Sequence, residues 1–175
     1  FCNIGVLNAH FNRREVIKGN LRRWYGAYLP LSSWVKAILL YKQCRFFNFC
    51  TPHFETPLLK SIFSEIWNAE PDMLRNSCSR FRQNLSVNIY LMRFWQLASN
   101  RFTPDNKRSK GFYSEITSKT IDKICDEIVS GNTISVCFND SIRCSDEMYV
   151  QARPQILKAF RAKYPDRSIF EKQDD

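Results

Sequence analysis

The stretch SVNIYLMRFWQLA, residues 86–98, determines which kind of fold the chain can adopt. Its apolar residues recur at the helical spacing i, i+3, i+4 and i+7: Val87, Tyr90, Leu91, Phe94, Trp95 and Ala98. This spacing places them on one face of an α-helix, and such a stripe is normally buried against other elements. The stretch therefore predicts a core helix in a mainly helical protein.

Further helices are predicted upstream of this stretch. Thr56 can cap a helix that begins at Pro57, where the missing N–H costs nothing. The apolar stripe of that helix consists of Leu58, Leu59, Ile62, Phe63, Ile66 and Trp67. Pro71 opens a further short helix. Residues 12–29 predict a basic helix, and residues 32–41 predict a second short helix.

The C-terminal part predicts one strand and two helices. The run TISVCF, residues 133–138, alternates apolar and small polar residues, which is typical of a strand. Helices are predicted over residues 120–129 and before Pro165, and residues 101–111 form a loop by composition. The further strands that a sheet needs would come from the weakly patterned N-terminus or from chain beyond these residues.

The expected fold class is therefore α/β, predominantly helical with few strands, in a single domain over residues 1–175. Its segments are a basic helical lead-in (1–50), a block with a histidine and arginines (51–100), a loop (101–111) and a strand block with a closing helix (112–175).

The composition predicts an anionic partner. The chain has 175 residues and a formal net charge of +9, which favours phosphate esters, nucleic acid or an acidic membrane surface. Its apolar stretches are far shorter than the roughly 20 residues that span a bilayer. Seven scattered cysteines without a C-x-x-C pair predict reduced thiols in a cytosolic compartment.

Three groups of polar residues are candidates for chemistry. His53 precedes a predicted helix start, where helical N–H groups attract anions. Arg80 and Arg82 carry guanidinium groups that suit phosphate. Asn139 and Asp140 end the predicted strand, where ligands of open α/β sheets gather. Each group also has an ordinary interpretation: a packed loop histidine, solvated arginines and a turn.

The order of these groups resembles a known family. The run PHFETPLLKSIFSEIWNAEPDMLRNSCSRFRQNLSVNIYLMRFWQL, residues 52–97, resembles the third conserved block of the Stealth family of sugar-phosphate transferases. TISVCFNDSI (133–142) and AFRAKYPDRSIFEK (159–172) are similar to its fourth block, and NRREVIKGNLRRW (12–24) is similar to the segment before the third.

This resemblance implies transfer of a sugar 1-phosphate from a nucleotide-sugar to a hydroxyl of a glycan acceptor, in capsule or exopolysaccharide synthesis. It implies that His53 acts as a base or phosphate contact and that Arg82 holds phosphate oxygens. Asp140 and Asn139 would lie near the donor or a divalent cation such as Mg²⁺. The remaining substrate-binding candidates, Asn88 and Arg80, belong to the third block; Asn88 equally suits a helix start.

The resemblance also implies a cytoplasmic enzyme that is compatible with association at the inner membrane face, and no nucleic-acid partner. Two departures qualify it. Ser86 stands where the family commonly has an acid, although serine caps a helix nearly as well as aspartate. The family's first two blocks find no match, so the chain is expected to be the C-terminal part of a transferase that is weak or inactive alone.

The alternative function belongs to a different class. A non-enzymatic basic helical module for nucleic acid or acidic membrane would spread its cations over one open face and leave His53 without a task. Those cations would be Arg13, Arg14, Arg22, Arg23, Lys107, Arg108 and Lys110.

Overall fold

The computed structural model describes residues 2–26, 31–49, 56–81, 83–104, 111–141, 144–166, 168 and 170. Within these residues the elements in chain order are α1 (Cys2–His10), α2 (Arg13–Lys18), α3 (Leu21–Trp24), α4 (Leu31–Leu39), α5 (Lys60–Ala69), α6 (Pro71–Ser77), α7 (Ile89–Ala98), β1 (Gly111–Glu115), α8 (Ile121–Ser130), β2 (Ser135–Asn139) and α9 (Asp146–Lys163). The chain divides into two compact units, a helical unit with α1–α7 and a sheet unit with the remaining elements. The predicted fold class, mainly helical α/β with few strands, is confirmed.

The helix α7 lies at the centre of the helical unit, as its sequence predicts. Leu91 is fully buried, and Phe94, Trp95 and Ala98 are almost completely buried beside it. The helix packs against α1 and α5. Because the buried residues fall at the predicted helical spacing, the apolar stripe alone accounts for the position of this helix.

Trp95 links three helices of this unit. Its indole Nε1 donates a hydrogen bond of 2.7 Å to Glu65 Oε1 on α5. Its ring lies 4.8 Å from the ring of His10 and 4.9 Å from that of Phe11, the second in a T-shaped arrangement. A buried tryptophan needs a partner for its N–H, and this one obtains it while filling the core.

One expectation for the N-terminal part is wrong, and one of two alternatives is excluded for its described residues. The predicted helix over residues 12–29 is broken into α2 and α3, because Gly19 and Asn20 end the first and begin the second. The N-terminus supplies no strand in its described residues, since Cys2–His10 form α1, whose Leu7 is fully buried. The helix α1 is stabilised by its burial against α7, although its sequence has only a weak helical periodicity.

The predicted start of α5 is also wrong, by three residues. The helix begins at Lys60 and not at Pro57. The carboxamide of Gln96 accepts a hydrogen bond from Leu59 N at 3.0 Å and donates one to Pro57 O at 3.3 Å. These bonds hold the preceding residues extended, so the local cap at Thr56 is not used as predicted.

The sheet unit is built on two parallel strands. β1 pairs with β2 from Gly111 opposite Ser135 to Glu115 opposite Asn139. The strand β1 was not predicted, because its first residue lies in the segment assigned to a loop and it is only five residues long. The predicted strand over 133–138 is confirmed with its bounds shifted to Ser135–Asn139.

The core of the sheet unit consists of α8 and α9 packed on each other and on one face of the strands. Ile121, Ile124 and Ile128 supply the buried face of α8. This helix ends at Ser130 and is capped by Gly131, whose φ of 63° is the left-handed conformation that glycine adopts without strain. Ser145 caps α9, which ends at Lys163 before Pro165 as predicted.

The described residues also answer two questions raised by the composition. Six of the seven cysteines are described and are free thiols, while Cys50 lies outside the described residues. None of the helices in the described ranges has the length and apolar character needed to cross a membrane.

Candidate functional site

The carboxyl ends of the two strands bring together three polar residues, which we call the polar edge: Glu115, Asn139 and Asp140. β1 ends at Glu115 and β2 ends at its register partner Asn139, followed directly by Asp140. Parallel strands end at the same edge of a sheet. Glu115 and Asn139 are therefore neighbours, although they are 24 positions apart along the chain. Such edges are where ligands bind in α/β proteins.

The pleat of the strands determines where the side chains of the polar edge point. Phe112, Val136 and Phe138 pack against the core of the sheet unit. Successive side chains of a strand alternate between faces, so Glu115 and Asn139 leave the sheet on the face opposite that core. Asn139 and Asp140 are exposed and Glu115 is half-buried.

The backbone at the polar edge is held by several hydrogen bonds. Ile116 N donates to Asn139 O at 2.9 Å, which extends the pairing beyond the strands. The Thr120 hydroxyl donates to Glu115 O at 2.6 Å and accepts from Thr117 N at 3.0 Å. The turn after β1 is thereby fixed, so the polar edge stands on an ordered backbone.

The residue types of the polar edge are ones that suit the divalent cation that the family resemblance implies. Two carboxylates and an amide oxygen are hard ligands, and Mg²⁺ commonly takes one or two carboxylates and completes its shell with water and substrate phosphate. The described ranges contain no group of three or more His, Cys, Asp and Glu residues placed to hold a metal ion. A cation here would therefore depend on Asn139 and on oxygens of the substrate.

Asn88 has a defined structural task. As the N-cap of α7, its Oδ1 accepts a hydrogen bond of 3.1 Å from Tyr90 N. The same oxygen accepts a second hydrogen bond, of 2.7 Å, from the side-chain amide of Asn3. In return, Asn88 N donates a hydrogen bond of 3.2 Å to Asn3 Oδ1. The asparagine pair joins α1 to the start of α7, so the helix-start interpretation of Asn88 is confirmed and its contact with substrate stays a prediction.

The neighbouring Ser86 does not cap the helix, contrary to expectation. Its hydroxyl accepts a hydrogen bond of 2.9 Å from Gln83 N, and Ser86 N donates to Gln83 O at 3.0 Å. Ser86 therefore closes the turn before α7, and Asn88 caps the helix instead.

A cavity of about 450 Å³ lies beside this turn within the helical unit. Its wall is mainly apolar, from Val6, Met73 and Leu85, with Gln83 and Ser86 as polar groups. Sequence analysis could not place this cavity, because it depends on α1, which lacks a periodic signal.

Arg80 is exposed, which suits both a solvated surface arginine and an arginine that contacts an anion. Its guanidinium carbon lies 5.3 Å from the centre of the Phe81 ring, within the range of a cation–π contact. In the ranges that the structure describes, the ion pairs are those of His10, Arg75 and Arg101, so no carboxylate neutralises Arg80 there. Its role in substrate binding stays a prediction.

His53 and Arg82 lie outside the described residues. Their assigned roles, and the assignment of catalysis to His53, Arg82 and Asp140 together, stay predictions. Glu115 was missed by sequence analysis. The run FYSEI, residues 112–116, has two neighbouring aromatic residues but no apolar/polar alternation, so the sequence carries only a weak signal for β1 and for a residue beside Asn139.

This chain is similar to proteins that are named as phosphotransferases of bacterial polysaccharides. It is 32% identical to the receptor polysaccharide phosphotransferase WefC of Streptococcus oralis, over 95% of this chain and 48% of that protein. It is 33% identical to a capsular polysaccharide phosphotransferase WcwK of Streptococcus pneumoniae, over 98% of this chain and 51% of that protein. It is 28% identical to the exopolysaccharide phosphotransferase cps2G of Lactiplantibacillus plantarum, over 97% of this chain and 49% of that protein.

The chain thus spans about half the length of the curated relatives that it matches. No family model and no solved structure matches it. The resemblance to capsular and exopolysaccharide phosphotransferases that the sequence blocks indicated is confirmed by these relatives.

Proposed function

We propose that this chain, a relative of the bacterial capsular and exopolysaccharide phosphotransferases over nearly its whole length, supplies about half of an enzyme that transfers sugar phosphate during polysaccharide synthesis. The observation that carries the proposal is the continuity of the match. It includes both the block with His53 and Arg82 and the strand that ends in Asn139 and Asp140.

The reaction is the transfer of a sugar 1-phosphate from a nucleotide-sugar to a hydroxyl of a glycan. The acceptor oxygen attacks the phosphorus that bears the sugar, and a phosphodiester bond forms. The bond between that phosphorus and the bridging oxygen breaks, and a nucleoside monophosphate leaves. Such a reaction requires alignment of the reactants and neutralisation of the phosphate charge, with little covalent help from the protein.

The residue types of this chain suit those requirements. His53 accepts the proton of the acceptor hydroxyl, and Arg82 and Arg80 hold phosphate oxygens. Asp140, with Asn139 and Glu115 beside it, would hold a divalent cation, which neutralises phosphate charge when it is bound. Asn88 orders the start of α7, which belongs to the third block, through its hydrogen bonds with Asn3 and Tyr90.

The proposal includes a cytoplasmic location and peripheral contact with the membrane. Nucleotide-sugars are cytoplasmic metabolites, and reduced cysteines suit that compartment. The cationic surface of the chain, with a net charge of +9, suits an acidic lipid surface.

A segment exchange tests the proposed function. The matching half of WefC of Streptococcus oralis is replaced by this chain, and the hybrid is expressed in cells that lack WefC. We expect phosphodiester in the polysaccharide, detected by ³¹P nuclear magnetic resonance. A control hybrid carries the matching half of cps2G. If the control restores phosphodiester and the hybrid with this chain does not, the proposal is wrong.

The role of His53 is tested in the same hybrid. His53→Ala should lower turnover by at least about 100-fold if the imidazole is the general base. His10→Ala is the matched control, because the chain has two histidines and His10 pairs with Glu70 within the helical unit. Turnover of His53→Ala within a few-fold of the His10→Ala value would remove His53 from the mechanism.

A further inference from the structure

The helix α4 presents an apolar face that the helical unit does not bury. We call this surface the α4 face, and it consists of Leu31, Trp34, Val35, Ile38 and Leu39. At about 100° per residue these five side chains occupy an arc of about 140°. Leu31, Ile38 and Leu39 are 80%, 73% and 76% exposed, and α4 contributes no buried residue.

The helix is nevertheless attached to the unit by its C-terminal end. The buried guanidinium of Arg13 donates hydrogen bonds to Leu40 O at 2.6 Å and to Gln43 O at 3.3 Å. It also donates to the Tyr25 hydroxyl at 3.0 Å. A cation at the C-terminus of a helix is favourable because the last carbonyls carry partial negative charge. The attachment is polar, so the α4 face is left directed away from the core.

A groove of about 370 Å³ between α3 and α4 continues the apolar surface. Its lining includes Leu21, Tyr25, Trp34, Ile38 and Tyr41. Trp34 and the two tyrosines have apolar rings with a polar atom at one end. Rings of this kind are enriched at the boundary between lipid headgroups and hydrocarbon.

The segment that contains the α4 face has charged residues of one sign. Residues 16–54 contain no aspartate or glutamate. The same residues contain six exposed cations: Lys18, Arg22, Arg23, Lys36, Lys42 and Arg45. In addition, the guanidinium of Arg14 lies 5.7 Å from the centre of the Tyr41 ring. The segment that contains the apolar surface is therefore cationic, and Glu15 on α2 is the nearest acidic residue before it along the chain.

We propose that the α4 face binds the surface of a bilayer that contains anionic lipid, with the aliphatic side chains among the acyl chains and the cations at the headgroups. Interfacial helices combine these two contributions. A nucleic acid would satisfy the cations and leave Leu31, Ile38 and Leu39 without an apolar partner. A second copy of the chain would bring six more cations against the same surface, so like-charge repulsion disfavours it.

This inference assigns the membrane contact of the proposed function to the α4 face. It rests on the proposed function only for the choice of the cytoplasmic side of the membrane. The observations that support it belong to the helical unit and do not involve the transfer reaction. A vesicle-binding experiment without any nucleotide-sugar therefore tests it separately from activity.

The test is co-sedimentation of the 175-residue chain with vesicles. One set contains equal amounts of phosphatidylglycerol and phosphatidylcholine, and the other contains phosphatidylcholine alone. We expect binding to the acidic vesicles that weakens with added salt, and at least about tenfold weaker binding to the neutral ones. Binding of the same strength to both would overturn the proposal, as would no binding to either.

Matched variants separate the apolar and charged contributions. Leu31→Asn with Ile38→Asn should weaken binding by about tenfold or more, because two exposed aliphatic side chains no longer enter the acyl region. Lys42→Glu with Arg45→Glu should also weaken it by about tenfold or more. Ile134→Asn with Val150→Asn alters two exposed apolar residues elsewhere and should leave binding unchanged. Equal losses in the α4 variant and this control would contradict the assignment.

Further measurements show whether a variant is misfolded and whether the α4 face binds a different partner. Circular dichroism should be the same for each variant, and bromine-labelled lipid should quench tryptophan fluorescence less in Trp34→Phe than in the unmodified chain. Light scattering without lipid should show no dimer that depends on Ile38. The proposal would be overturned if the chain formed a dimer that depends on Ile38 and did not bind vesicles. It would also be overturned if the chain bound an oligonucleotide and not vesicles, and the α4 variant retained that oligonucleotide binding.

Discussion

The helical unit and the sheet unit are stabilised to different degrees by their cores. In the described residues, the core of the helical unit contains twelve buried residues, with Phe46, Phe94 and Trp95 among them. The core of the sheet unit contains six, all of them isoleucine or alanine. Since hydrophobic stabilisation follows the apolar area removed from water, the helical unit should be the more stable of the two.

The sheet unit also has the less complete architecture of the two. Parallel strands normally occur in larger sheets that are covered on both faces. Here, in the described ranges, two strands pair with each other and only one face is covered by the core. The residues of the polar edge therefore stand on the less stabilised unit, while the helical unit contributes the larger core.

The four tryptophans make this comparison measurable. Trp24, Trp34, Trp67 and Trp95 all lie in the helical unit, so tryptophan fluorescence reports the unfolding of that unit alone. Circular dichroism reports helices of both units. Two transitions with different midpoints in denaturant are expected, with the fluorescence change in the later one.

The largest effect is expected at the centre of the helical unit. Leu91→Ala removes a fully buried side chain from α7 and should lower the free energy of unfolding by about 3–5 kcal/mol. Denaturant unfolding followed by tryptophan fluorescence measures this loss. A loss below about 1 kcal/mol would show that the core around α7 is not the main source of stability.

A smaller loss is expected from the corresponding change in the sheet unit. Ile124→Ala removes a fully buried side chain from α8 and should cost about 2–3 kcal/mol, because fewer neighbours surround the space and they can relax more easily. The first circular-dichroism transition should move to lower denaturant while the fluorescence transition stays in place. Equal shifts in both would contradict the independence of the two units.

The next effect concerns the end of α8. Gly131 has a φ of 63°, and a Cβ placed there would clash with Lys163 Nζ. The lysine end group can move aside, but the left-handed backbone remains unfavourable for alanine. Gly131→Ala should therefore destabilise the sheet unit by about 1 kcal/mol. Gly5→Ala is the control, because nothing lies within 4 Å of its added Cβ and it is helical. A stabilising Gly131→Ala would show that the αL cap is not required.

The smallest effect is a dependence on pH in the helical unit. The hydrogen bond from Trp95, opposed by burial and assisted by the nearby Arg101 guanidinium, lowers the pKa of Glu65 from its ordinary value. A group with a lowered pKa in the folded state stabilises the fold above its unfolded pKa, and this contribution is lost as the pH falls through the folded value.

Glu65→Gln should therefore be less stable than the unmodified chain near neutral pH, by less than about 1 kcal/mol because the pair is partly exposed. The difference should shrink as the pH is lowered below about 4.5, where the ordinary carboxyl becomes protonated. Fluorescence-detected unfolding at a series of pH values measures it. A difference that grows toward acid would contradict the assigned direction.

The sequence predicted those parts of the fold whose pattern is local and strong. The stripe in α7, the helices α6 and α8, the end of α9 before Pro165 and the strand that ends in Asn139 all have such patterns. The missed features depend on partners that are distant along the chain. The start of α5 is determined by Gln96, 37 residues beyond Leu59, and β1 is stabilised by pairing with β2.

The same distinction applies to the candidate site. Asn139 and Asp140 could be placed at the end of a strand from the sequence, because the alternation before them is local. Glu115 could not, since its position beside Asn139 follows from the register of two strands. The bond from Asn3 to Asn88 joins residues 85 positions apart, so no local pattern indicates it.

Product analysis of the hybrid with the WefC half tests the central claim most directly. The purified hybrid is supplied with a nucleotide-sugar and a glycan acceptor, and the released nucleotide is identified by chromatography while ³¹P resonance detects the glycan product. The account predicts release of nucleoside monophosphate in step with the appearance of phosphodiester. Release of nucleoside diphosphate, with the sugar joined to the glycan without phosphorus, would contradict it.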